Sequence, residues 1–119
     1  EETYNKDGNR DGLWKSYDKN GQLTLEETYN GKSWKPISKK EFKYYGIGKL
    51  KSETTYKERF GSIQHGPYKV YYYENGQVKF EGTYKDGRED GTSKTYYENG
   101  QLKREETYKD GVLIESKEY

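Results

Sequence analysis

The 119-residue chain has no cysteine, no methionine and no alanine. Without Cys there is neither a disulfide framework nor a thiolate metal site, and the absence by itself points to no redox compartment. Without Ala, and with 14 Gly, a helical bundle is disfavoured. Long apolar runs are missing as well. The longest covers four residues, Val70 to Tyr73, against the roughly 20 that a membrane-spanning helix needs. Charge of one sign is lacking: 22 basic residues face 21 acidic ones, a net +1. That balance argues against a mainly phosphate-driven nucleic-acid binder and gives little attraction to anionic lipid. Leu, Ile, Val and Phe together number only 16, a share low enough to suggest disorder. Disorder, however, pairs low hydrophobicity with high net charge and few aromatics. Here the charge is balanced, and there are 15 Tyr and 2 Trp. Tyrosine has to do the burying that Leu and Ile usually do.

What is present is a repeat. Thr-Tyr recurs at Thr3-Tyr4, Thr28-Tyr29, Thr55-Tyr56, Thr83-Tyr84 and Thr107-Tyr108. Asn-Gly recurs at Asn20-Gly21, Asn75-Gly76 and Asn99-Gly100, with Ile47-Gly48 as a degenerate copy. The unit is clearest from Gly91 to Gly111, GTSKTYYENGQLKREETYKDG, and Gly66 to Gly87 repeats it. Asn-Gly between two β-rich segments signals a hairpin with a type I′ turn. Asp86-Gly87 and Asp110-Gly111 supply turns between units. The expected fold is all-β: an elongated, twisted, single-layer antiparallel sheet of tandem hairpins, with about nine or ten strands in an up-and-down meander. One repeat domain spans residues 1–119, in units 1–25, 26–52, 53–80, 81–104 and 105–119, irregular at 31–40 and 57–66. The chain opens inside a repeat at Glu1 rather than with Met, as a fragment or a processed form would.

Two-residue turns set a register. They pair Tyr97 with Leu102, Tyr96 with Lys103, and Lys94 with Glu105. Alternation along each strand then sorts the side chains into two faces. One is apolar: Leu23, Leu50, Val78 and Leu102, with Tyr29, Tyr56, Tyr84, Tyr108, Tyr45, Tyr73, Tyr97, Leu25, Phe80, Tyr71 and Trp14. The other is solvated: a column of Tyr17, Tyr44, Tyr72 and Tyr96 among Thr24, Lys51, Lys79 and Lys103, then Glu26, Glu53, Glu81 and Glu105, then Thr28, Thr55, Thr83 and Thr107. Lys15–Glu26 and Lys94–Glu105 are cross-strand pairs. A sheet with one apolar face needs a cover, and Trp34 and Ile37, or Phe60 and Ile63, are available in the two irregular segments to supply it.

The pattern DG-x-x-K-x-YYENGQLK-x-E-x-TYKDG resembles the bacterial variant of the MORN repeat. The resemblance is strongest from Gly66 to Gly111, good from Glu1 to Tyr29, and weakest from Gly31 to Lys51. It implies a repeat sheet with no catalytic residues and no cofactor. It also implies a bacterial source and a role of the kind often named antitoxin or immunity protein, either inside the cell or at its envelope.

The residues themselves agree on the lack of chemistry. The single histidine, His65, sits in a Gln-His-Gly connector and reads as a turn residue, so no Ser-His-Asp arrangement can be assembled. The Asp-Gly pairs lack calcium-loop spacing and read as turns. No catalytic, cofactor-binding or metal-binding residue is assigned. The candidate partner-binding residues are Tyr17, Tyr44, Tyr72, Tyr96, Trp14 and Trp34, because rigid aromatic area marks interfaces. The expected partner is another protein, such as a toxin, or a second copy through the apolar face, with no nucleic acid and no integral membrane contact. A cell-wall or carbohydrate-binding aromatic repeat is the alternative.

Overall fold

A computed structural model describes residues 3–58, 62–72 and 74–119. The expectations for Phe60 and Tyr73 fall outside the described residues. Among the described residues eleven strands form one antiparallel sheet: β1 (Thr3–Tyr4), β2 (Arg10–Tyr17), β3 (Leu23–Asn30), β4 (Ser38–Gly46), β5 (Lys49–Glu58), β6 (Ser62–Tyr71), β7 (Val78–Lys85), β8 (Arg88–Glu89), β9 (Gly91–Tyr96), β10 (Leu102–Lys109) and β11 (Val112–Glu118). Their order follows the chain, with the two-residue β8 pairing β7 just ahead of β9. The sheet measures 54 × 35 × 16 Å. Among the described residues no helix is present, in keeping with the missing alanine.

The two edges of the ribbon use different turns. At Asp86-Gly87 and Asp110-Gly111 both residues have positive φ, 51° and 86° in the first and 50° and 85° in the second. The flanking pairs Lys85–Arg88 and Lys109–Val112 are in register. These are the two-residue type I′ turns that Asp-Gly favours. The Asn-Gly turns differ from expectation. Asn99 keeps negative φ while Gly100 stands at +89°. The Tyr97 carbonyl accepts the Gly100 amide at 2.9 Å, and the Tyr97 amide donates to the Gln101 carbonyl at 2.8 Å. This is a three-residue loop, a type I turn followed by a left-handed glycine. Asp18 to Gln22 repeats it. The carboxamide oxygen of Asn99 accepts the Gln101 amide, as Asp18 does for Gln22.

The extra loop residue is absorbed by a bulge. Leu102 pairs with Tyr96 but Arg104 pairs with Thr95, so Lys103 is unmatched. The same skip falls at Thr24, Lys51 and Lys79. Two errors of one residue cancel. Lys94–Glu105 and Lys15–Glu26 pair as expected, while Tyr96 opposes Leu102 and not Lys103. Directly opposed residues share a face, so Leu23, Leu50, Val78 and Leu102 stand with Tyr17, Tyr44, Tyr71 and Tyr96 rather than on the apolar face.

The opposite face holds what core there is. Tyr29 is 4% exposed, and Ser52, Thr54 and Ser93 are buried there too. One row across it runs Glu41, Thr54, Tyr68, Gly82. The Tyr68 ring packs at 6.2 Å from both Phe80 and Tyr84. Trp34 and Ile37 do not cover this face; they stay 75% and 44% exposed. Aromatic rings packed over small neighbours replace a second layer.

Candidate protein-interaction face

Two rows define the face opposite the aromatic core. The first is ionic. Lys15 pairs with Glu26, and Glu26 with Lys40. Glu53 pairs with Lys69, Lys69 with Glu81, Glu81 with Lys94, Lys94 with Glu105, and Glu105 with Lys117. Between β4 and β5 the row steps by two residues, because Lys40 opposes Thr55. The Lys40 ammonium bridges the step to Glu53 at 3.1 Å. Lys and Glu therefore alternate across the sheet, and each charge lies beside opposite ones. Burial would raise the Glu53 carboxyl, but hydrogen bonds from Tyr71 and Lys40 outweigh it and hold it below its usual value.

The second row pairs a tyrosine with an aliphatic residue in each hairpin: Tyr17–Leu23, Tyr44–Leu50, Tyr71–Val78 and Tyr96–Leu102. It is tied to the ionic row by tyrosine hydroxyls. Tyr71 donates to Glu53, Tyr96 to Glu81 at 2.8 Å, and Tyr119 to Glu105 at 2.7 Å. Burial, then the bond to Glu81, pushes the Tyr96 hydroxyl up to about 12. Tyr44 instead donates to the Leu23 carbonyl at 2.6 Å.

The six candidate residues do not form one site. Tyr17, Tyr44 and Tyr96 belong to the tyrosine–aliphatic row, with Tyr17 58% exposed. Tyr72 does not. Tyr71 holds its place in the register, since the third hairpin carries one extra residue in its loop. Tyr72 reaches across to the Tyr96 carbonyl at 2.8 Å and carries Lys79 over its ring at 5.6 Å. Counting forward from Gly66 and Gly91 would have found Tyr71, because Lys69–Tyr71 matches Lys94–Tyr96. Counting back from Asn-Gly selects Tyr72. Trp14 is packed on the opposite face, edge-on to Tyr4 at 5.1 Å and to Tyr29 at 6.0 Å. The Arg10 guanidinium lies 4.3 Å over its ring. Trp34 borders an open groove of about 580 Å³ with Tyr4, Arg10, Glu27, Tyr29 and Pro36.

His65 braces a turn, its Nδ1 accepting the Asp86 amide at 3.1 Å. Among the described residues no cluster of His, Cys, Asp or Glu could hold a metal ion, and no helix is long and apolar enough to cross a membrane.

A sheet of tandem hairpins with side chains laid out in rows defines a β-hairpin repeat module. The MORN repeat variant model matches residues 10–30, 64–86 and 89–110, more than half of the chain. The chain belongs to the MORN repeat variant family. The matched segments hold the hairpins β2–β3, β6–β7 and β9–β10. No curated protein and no solved structure matches the chain.

Proposed function

We propose that this chain is a non-catalytic module that binds another protein, as an antitoxin- or immunity-type repeat protein of a bacterium does. The observation that carries the reading is the tyrosine–aliphatic row on an uncovered sheet face, where Tyr17 and Tyr44 begin a strip of amphipathic rings. Tyrosine gives large rigid contact area at low entropic cost, which suits recognition of a protein surface. The neutral Lys–Glu ladder beside it favours a partner matched in shape over one gathered by charge. On this face Tyr17 and Tyr44 are the contact residues, with Tyr96 and Tyr72 further along the same side, while Trp14 and Trp34 belong to the opposite face. The narrower antitoxin role rests on the family resemblance.

The test is co-purification of the tagged chain from its own host, followed by reconstitution with the purified partner. A one-to-one complex weakened by Tyr17→Ala or Tyr44→Ala, and a partner whose toxicity the chain neutralises, are the expected results. Retention on a glycan array with no protein partner would overturn the reading in favour of a carbohydrate-binding repeat.

A further inference from the structure

The accessible surface is 7958 Å² for 14.1 kDa. A compact monomer of that mass exposes about 6,700 Å², so roughly 1,200 Å² is left uncovered. The radius of gyration, 16.8 Å, likewise exceeds the approximately 13.5 Å of a compact chain this long. A standard interface buries about 800 Å² on each partner. The single layer therefore exposes enough surface for one.

The pattern on β5, β6, β7, β9, β10 and β11 specifies the occupant. Across these six strands the ionic row reads Glu53, Lys69, Glu81, Lys94, Glu105, Lys117. An alternating row with an even number of members is complementary to its own reversal. The neighbouring row reads Leu50, Tyr71, Val78, Tyr96, Leu102, and it ends on Tyr119, which follows β11 with its amide on the Lys103 carbonyl and its hydroxyl on Glu105; it alternates in the same way. Resting on the interaction-module reading, we propose that a second copy of this chain docks face to face on this half of the sheet. The two-fold axis runs parallel to the strands, between β7 and β9.

That operation sets Glu53 over Lys117, Lys69 over Glu105, and Glu81 over Lys94 of the other copy. It also sets Leu50 over Tyr119, Tyr71 over Leu102, and Val78 over Tyr96. Each ring meets an aliphatic side chain, which suits the ~10 Å spacing of stacked sheets. The other in-plane two-fold, along the row, would set Lys over Lys and is excluded by repulsion. Within each copy Lys94 stays with Glu105 at 3.9 Å, and Glu53 and Glu81 keep the hydroxyls of Tyr71 and Tyr96, so docking adds to these pairings rather than replacing them. The two-residue step between β4 and β5 ends the pattern and leaves β2–β4, with Tyr17 and Tyr44, free for a different protein.

Sedimentation velocity across a concentration series tests this with a charge swap. Lys69 and Glu105 are not neighbours within one chain, so their relation reports only the contact between copies. Lys69→Glu and Glu105→Lys should each weaken the dimer by about tenfold or more, each contact occurring twice. The double variant should recover it, although neither residue regains its own in-chain partners. A monomeric wild type, unaffected single variants or an unrecovered double variant would each overturn the proposal. Circular dichroism checks the fold of each variant. Should a reversal unfold the chain, Lys69→Cys and Glu105→Cys chains mixed with a short bis-maleimide give the same answer. Unlike chains must join in preference to like ones, and random joining overturns the proposal. Loss of the dimer leaves capture of a host protein untouched, so this inference and the interaction-module reading fail separately.

Discussion

Replacing Gly82 by Ala puts a methyl group into the tightest row of the aromatic face. An ideal Cβ there lies 2.9 Å from the Ser93 Oγ and 3.4 Å from two carbons of the Phe80 ring. Ser93 is 3% exposed, so its hydroxyl has only its other staggered positions to retreat to. Overpacking of this kind costs about 1–3 kcal/mol. The backbone adds no penalty, because Gly82 has no left-handed φ, and the loss of unfolded-state freedom returns about 0.4–1 kcal/mol. A net destabilisation of about 0.5–2.5 kcal/mol is expected. Gly46 is the internal control, since it too lacks positive φ and has nothing within 4 Å of its Cβ position. Gly46→Ala should be neutral or stabilising by up to about 1 kcal/mol. Urea unfolding followed by tryptophan fluorescence measures both, provided the slopes agree. Adding Ser93→Ala to Gly82→Ala removes the clashing oxygen and should restore most of the loss. If Gly82→Ala proves as stable as Gly46→Ala, the claim that small side chains are required beneath the aromatic face fails.

Tyr29→Ala should cost about 3–5 kcal/mol in the same assay, because it empties the most buried aromatic position among the described residues and removes the acceptor of Arg10 at 3.0 Å. Asp110→Ala should cost about 1–2 kcal/mol at φ 50°, whereas Asp110→Gly should be tolerated; thermal denaturation separates them. Tyr96→Phe removes the bond to Glu81 and should lose about 1 kcal/mol at neutral pH. Its pH dependence has a definite sign. With the hydroxyl raised from 10 to about 12, the unfolded chain ionises first. The stabilisation is full below pH 10 and is lost as pH rises toward 12. Stability curves over that window should fall less steeply for Tyr96→Phe, and an equal slope would refute the assignment.

The hairpin repeat, the strand order and the central pairs of the ionic ladder were legible because they depend on local turn chemistry and on a period of two. Lys94–Glu105 came out right because the longer loop and the bulge beyond it cancel. The tyrosine column was misread at Tyr72 because one extra loop residue shifts the count from the turn but not the count from Gly66. The turn type was misread because Asn-Gly accommodates either a type I′ turn or a type I turn with a left-handed glycine. The choice between them depends on whether the facing strand bulges.

The sequence by itself determined that this protein is an all-β ribbon: too little aliphatic surface for a layered core, too many glycine turns for helices, and a repeat that pairs each strand with the next. Only the tertiary structure decided which side chains share a face. A bulge at Thr24, Lys51, Lys79 and Lys103 carries Leu23, Leu50, Val78 and Leu102 to the tyrosine side. One inserted residue reverses the alternation, and its position is fixed by hydrogen bonds between strands, which no single strand encodes.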